Sequence, residues 1–156
     1  LIDDNAYDLL ETTCSFGNLA LAAEAVGIMG KIKKTTLEYL KIRKQFGKPL
    51  SSFQVLQHRM VELVTEIEQA KSSMMLASAY LDKDRFVREK YISGAKNLVG
   101  RVGKLVAEEA IQMHGGIAMC WEYDIAHYAK RLVMIDHVLG DADHHLERFN
   151  FFSNLN

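Results

Sequence analysis

The 156-residue sequence predicts an all-α fold, an antiparallel four-helix bundle with an additional C-terminal helix. Three observations carry this. Apolar residues recur at helical spacing through three long stretches. Pro49 is the only proline, so little interrupts a long helix. Alternating runs of Val, Ile and Thr between turn residues, the mark of strands, are missing.

The first helix is predicted from about Phe16 to Lys41. Its apolar residues are Leu19, Ala22, Ala23, Val26, Ile28, Met29, Ile32, Leu37 and Leu40, with Lys31, Lys33 and Lys34 on the opposite side. Gly47-Lys48-Pro49 breaks the pattern, and Ser51 or Ser52 is a plausible N-cap for the second helix. That helix carries Leu56, Met60, Leu63, Val64, Ile67, Ala70, Met74 and Leu81 as its stripe. Asp82-Lys83-Asp84 is a polar turn. The third helix follows with Tyr91, Ala95, Leu98, Val102, Leu105, Val106 and Ile111, and ends at Gly115-Gly116. Each spans roughly 40–48 Å at 1.5 Å per residue. Shorter helices are expected at about 124–135 and 139–151, and short polar turns should set neighbours antiparallel.

Bulk properties narrow the function classes. With 49% hydrophobic and 25% charged residues, the chain is globular and forms a single domain over 1–156. A net charge of −1 gives no case for nucleic acid or an anionic membrane surface. No apolar run reaches the roughly 18 residues needed to span a bilayer. The acidic start, Leu1-Ile2-Asp3-Asp4, lacks a signal peptide's basic and apolar segments; without an initiator Met the chain reads as a piece of a longer one. Cys14 and Cys120 form no CxxC and are expected to be reduced thiols in a cytoplasmic protein.

Several residues offer chemistry beside a plain structural role. Arg43 stands at a helix end before a glycine turn. Its planar fork of donors suits a pyrophosphate, or it is a surface arginine favoured by the helix dipole. Phe46 is suited either to stack on a ring or to staple the turn. Gln54 both donates and accepts, as an amide facing a nucleotide must, or is a solvated helix start. Gln112 lies just before Gly115 and Gly116, whose missing Cβ atoms let a phosphate approach backbone N–H groups; the pair is also a helix C-cap. His114 reads as a hydrogen-bonded structural histidine. Glu122-Tyr123 starts the next helix and carries no chemistry.

Three stretches together resemble the C-terminal bundle of acyl-CoA dehydrogenases. They are Arg43-Lys44-Gln45-Phe46-Gly47-Lys48-Pro49-Leu50 with Phe53-Gln54-Val55-Leu56-Gln57, then Gln112-Met113-His114-Gly115-Gly116, then Glu122-Tyr123 before a helix with Lys130-Arg131. The ending, Tyr128 to Leu132 and Leu139 to Leu146, resembles the pimeloyl-CoA dehydrogenase small-subunit branch. The resemblance implies FAD as cofactor and an acyl-CoA substrate, with oxidation to the 2,3-enoyl thioester in fatty acid metabolism. It also implies an electron-transfer acceptor and a homo- or hetero-oligomer, dimer or tetramer, built through the bundle. Arg43, Phe46, Gln54, Gln112, Gly115 and Gly116 would contact FAD, Arg43 that of a neighbouring subunit. The N-terminal helical and middle β-domains of the family protomer are not in this chain, so alone it is expected to be inactive.

The family's base for the α-proton is a glutamate before a glycine in the loop preceding the last helix. The matching position is Leu139, before Gly140, and a leucine cannot take a proton. The other family position, on the first helix, falls at about Gly17, beside Asn18. Asp136 or Asp141 would have to reach the substrate from a shifted place; otherwise a different, paired subunit supplies the base. That second reading makes the chain a non-catalytic partner or scaffold. The histidine-rich tail (Asp136, His137, Asp141, Asp143, His144, His145, with His127 upstream) lacks any Glu-x-x-His motif. It reads as a polar first helical turn, with metal binding a remote alternative and no metal site assigned.

Overall fold

The computed structural model describes residues 6–154; the acidic start at Leu1 to Asp4 lies outside them. Five α-helices follow in order: α1 Tyr7–Ile42, α2 Gln54–Ala79, α3 Arg85–His114, α4 Asp124–His137 and α5 Ala142–Ser153. Between α1 and α2 lie two two-residue strands, β1 Lys44–Gln45 and β2 Lys48–Pro49, and a 3-10 turn over Leu50–Ser52. Another 3-10 turn, Gly115–Met119, links α3 to α4.

The first four helices run up, down, up, down. Ser15 on α1 meets Glu89 near the start of α3, and Tyr39 near the end of α1 stacks on His114 at the end of α3, so α1 and α3 are parallel. Helix α5 descends along α3: Asn97 Nδ2 donates to the Ala142 carbonyl, and Phe152 reaches Phe86. Helix α3 therefore touches every other helix. Its buried positions run nearly all round it, including Ile92, Ala95, Val99, Val102, Val106 and Ala110. Met29, Ile32, Leu63, Ile67, Ile125 and Leu132 join them in the main core.

The expected stripes occupy the core apart from Ala23, Leu37 and Leu105, which are exposed. Three local expectations are corrected. Helix α1 begins at Tyr7, not near Phe16, because its first turns are inside out: Leu9, Leu10 and Phe16 face outward while Glu11, Ser15 and Asn18 are buried. Neither Ser51 nor Ser52 caps α2. Phe53 holds that position without a side-chain cap, and Ser52 Oγ instead donates to the Pro49 carbonyl. Helix α4 starts at Asp124, leaving Glu122 in the preceding turn. Asp84 caps α3, and Asp141 caps α5 by accepting from His144 N–H at 2.9 Å.

Candidate functional site

Two sets of side chains stand apart along the bundle. The first is at the end formed by the C-termini of α1 and α3. The strands pair Lys44 with Pro49 and Gln45 with Lys48, leaving a two-residue turn at Phe46-Gly47. Both turn residues have positive φ, 53° and 78°, which suits the right-handed twist of a tight hairpin. Glycine takes that conformation freely. Phe46 does not, and it is still 90% exposed, its ring edge-on to that of Phe53 with centroids 6.1 Å apart. An uphill backbone here presents an aromatic ring to solvent.

Arg43 caps α1, with its own N–H bonded to the Tyr39 carbonyl. Its guanidinium is exposed and makes no hydrogen bond or ion pair among the described residues. Gln54, first in α2, and Gln112 are likewise exposed. Gly115 ends α3 at φ 71°; a Cβ there or on Gly116 would meet open space. His114 is buried, its Nδ1–H donating to the Ala110 carbonyl at 2.8 Å, and burial lowers its pKa. Tyr39 ties the two parts together: its ring lies 4.5 Å from His114 and its hydroxyl donates to the His114 carbonyl. Thus Arg43, Phe46, Gln54, Gln112, Gly115 and Gly116 all gather at one end of the bundle.

The second set surrounds the loop between α4 and α5. Leu139 has φ 59° and Gly140 φ 101°, so the loop turns sharply and throws the Leu139 side chain back over α1. There it fills the space above Gly17, where an added Cβ would lie 2.8 Å from Leu139 Cδ1. The loop is held by a lysine that sequence reasoning missed. Lys96 is 1% exposed, and its Nζ donates to the carbonyls of Ile135, Asp136 and Gly140 at 2.9–3.0 Å. A cation there satisfies the orphan carbonyls of α4. Burial lowers the Lys96 pKa, against the raising effect of Asp136 and Asp141. His145 donates from Nε2 to the Leu139 carbonyl at 3.0 Å, and burial pushes its pKa down to about 4. The signal for Lys96 was its place: one helical turn after Ile92 and just before Val99, inside an apolar face.

Asp136 and Asp141 point elsewhere. The Asp136 carboxylate packs against Gly100, its Oδ1 buried without a partner, and Asp141 is engaged as the α5 cap. Beneath Leu139 is a cavity of about 230 Å³ lined by Leu10, Cys14, Asn18, Ile92, His144 and a buried ion-pair cluster. In that cluster Arg148 Nη2 bridges Glu89 at 2.8 Å and Glu11 at 3.1 Å. Arg85 forks onto Glu11, Arg88 pairs with Glu89 at 2.9 Å, and Ser15 Oγ donates to Glu89 at 2.6 Å. The Arg85 hydrogen bond, opposed by burial and aided by Arg148, keeps the Glu11 pKa low. Glu11 lay before the predicted start of α1, so the cluster was not legible. Among the described residues no three His, Cys, Asp or Glu side chains converge as a metal site, no helix is long and apolar enough to cross a membrane, and both thiols are free. Lys96 and His114 bracket the two sets on one helix, 18 residues and so roughly 27 Å apart.

Residues 7–148 match the family model described as acyl-CoA dehydrogenase, C-terminal domain. The acyl-CoA dehydrogenase IpdE2 of Mycolicibacterium smegmatis is 34% identical over 130 residues, 83% of this chain and 40% of that protein. The chain thus spans well under half of the curated relatives it first matches. Among solved structures, the G363A variant of the Tcur3481-Tcur3483 steroid ACAD superposes with TM-score 0.85 at 30% identity, over 90% of this chain and 39% of that one. Butyryl-CoA dehydrogenase from Megasphaera elsdenii gives 0.89 at 25% identity, over 99% and 40%.

Proposed function

The chain belongs to the acyl-CoA dehydrogenase family, as its C-terminal helical domain, and from this we propose that it helps hold FAD in an assembly that desaturates a CoA thioester. The observation that carries the proposal is the Phe46-Gly47 turn, a left-handed aromatic left in solvent beside an uncommitted guanidinium. The residues fit the cofactor. Arg43 would pair with the pyrophosphate, Phe46 would lie on a ring face, and Gln54 and Gln112 would bond polar edges. Gly115 and Gly116 leave their backbone open to close approach. FAD, when bound, supplies the hydride acceptor. The protein's part at this end is to bind and orient. The roughly 27 Å between the two sets supports Arg43 serving the flavin of a neighbouring subunit, in a homo- or hetero-oligomer. The reading carries an acyl-CoA substrate, a separate electron-transfer acceptor and a cytoplasmic location.

Arg43→Ala in the intact assembly tests this. Flavin content after gel filtration is expected to fall at least about tenfold, the loss of a charge-assisted pair; unchanged absorbance would sink the proposal. Phe46→Gly should separate stability from binding. Relief of the left-handed strain is expected to raise stability by about 1 kcal/mol, read by thermal melting, while flavin retention falls.

The second reading, a non-catalytic partner subunit, is favoured by one feature. Leu139 stands where the family's base would be, above Gly17, which offers no base either. With Asp136 and Asp141 both turned away, the α-proton would be removed by a carboxylate from a different subunit. On this reading the present chain holds flavin and builds the interface.

A further inference from the structure

Two charges on adjoining helices are left over when the bundle has closed. On α3, Glu109 is held by Arg59 of α2 at 2.7 Å; on α4, Arg131 is held by Glu24 of α1 at 2.6 Å. Their neighbours in sequence, Glu108 and Lys130, are exposed and make no ion pair among the described residues. Lys130 lies over the Trp121 ring, with Nζ 4.9 Å from its centroid. Both charges line the same place, an open groove of about 490 Å³ between α3 and α4.

The groove is otherwise apolar. Ala107, Ala126 and Ala129 are buried and short, and form its floor. Met119, Val133 and Met134 stand at its sides, exposed at 71%, 41% and 55%. The surface thus carries both parts of a contact, a hole floored by alanines and flexible thioethers able to fill one. It also carries both signs of charge, one on each helix. Gly103 lies against Leu132 and Gly100 against Asp136, a register that brings Glu108 within about one turn of Lys130 along the groove.

A surface complementary to itself is what a two-fold contact between identical chains requires. Charge then selects the axis. An axis along the groove lays α3 of one copy over α4 of the other and sets each Glu108 against Lys130 of the partner subunit. An axis across the groove lays α3 on α3 and sets like charges together, which is repulsive. On the groove wall Ile111 adjoins Gln112, so the surface runs on to the end of the bundle proposed to serve a neighbour's flavin. Resting on that oligomer reading, we propose that the α3–α4 groove is the contact between two identical copies of this chain, closed by reciprocal Glu108–Lys130 pairs. The apolar walls supply the attraction and the charges fix the orientation.

The test is the mass of the intact protein by sedimentation equilibrium over a dilution series, at low ionic strength where such pairs are least screened. Flavin absorbance is read on the same samples. Glu108→Lys sets lysine against lysine, and Lys130→Glu sets glutamate against glutamate. Each alone is expected to raise the dissociation constant of the contact about tenfold or more. Mixing the two variants in equal amounts should restore it, because every contact then pairs opposite signs. The doubly reversed chain should restore it as well. Both residues are exposed, so the variants should fold, and melting curves check this. An unchanged dissociation constant in either single variant, or no recovery in the mixture, would overturn the groove contact while leaving flavin retention through Arg43 standing. A monomeric unaltered protein would overturn the oligomer reading with it.

Discussion

Leu139→Glu is expected to raise the exchange of α-hydrogens of a bound acyl-CoA with solvent deuterium by about 100-fold or more, within the usual range for a positioned general base. Position 139 already has φ 59°, so glutamate inherits the strain that leucine bears and adds none. Lys96 and His145 hold the loop through its carbonyls, contacts that do not depend on which side chain projects from it. Proton exchange requires a base over Cα and no oxidation, so it reads position 139 separately from flavin retention. Measured by NMR in deuterated buffer, an unchanged rate would show that the loop does not aim residue 139 at the substrate.

Lys96→Met should produce the largest loss of stability. Methionine keeps the length and apolar stem but leaves the carbonyls of Ile135, Asp136 and Gly140 without their donor. A cost of about 3 kcal/mol follows from losing charged hydrogen bonds at buried acceptors, net of the lysine's recovered desolvation. For a domain of this size that is a melting shift of roughly 6–12 °C. Scanning calorimetry checks it, and a shift under about 2 °C would mean that water replaces the ammonium without loss.

Much of this architecture could be read directly. Stripes such as Met60, Leu63, Ile67 and Ala70 announce one helix face, and Gly115-Gly116 announces its neighbour's end, because both follow from periodicity and local backbone preference. The hairpin was legible as a break and not as strands, since two-residue strands are too short to show alternation. The six residues expected to contact FAD form a group because they occupy two compact segments that the fold brings to one end. The cavity was not legible. Its residues come from positions as distant as Glu11, Glu89 and Arg148, and periodicity assigns buried positions to apolar residues. Where polar groups are interior and leucines exterior, as in the first turns of α1, the pattern inverts and the rule fails. Lys96 was hidden for the same reason, a charge on an apolar face whose partners lie 39 to 44 residues away.

The Arg148 bridge also bears on the order in which the chain assembles. Helical hairpins form from neighbours in sequence and close cheaply, so α1–α2, α2–α3 and α3–α4 can pair as they emerge. Arg148 joins Glu89 across 59 residues and Glu11 across 137. It acts only after α5 has docked on α3 beside an already placed α1. The cavity under Leu139 is therefore the last part of the bundle to come into being. Glu11 and Glu89 already have Arg85 and Arg88 as partners once α1 meets α3, but they are joined to each other and fully covered only when the closing helix brings Arg148.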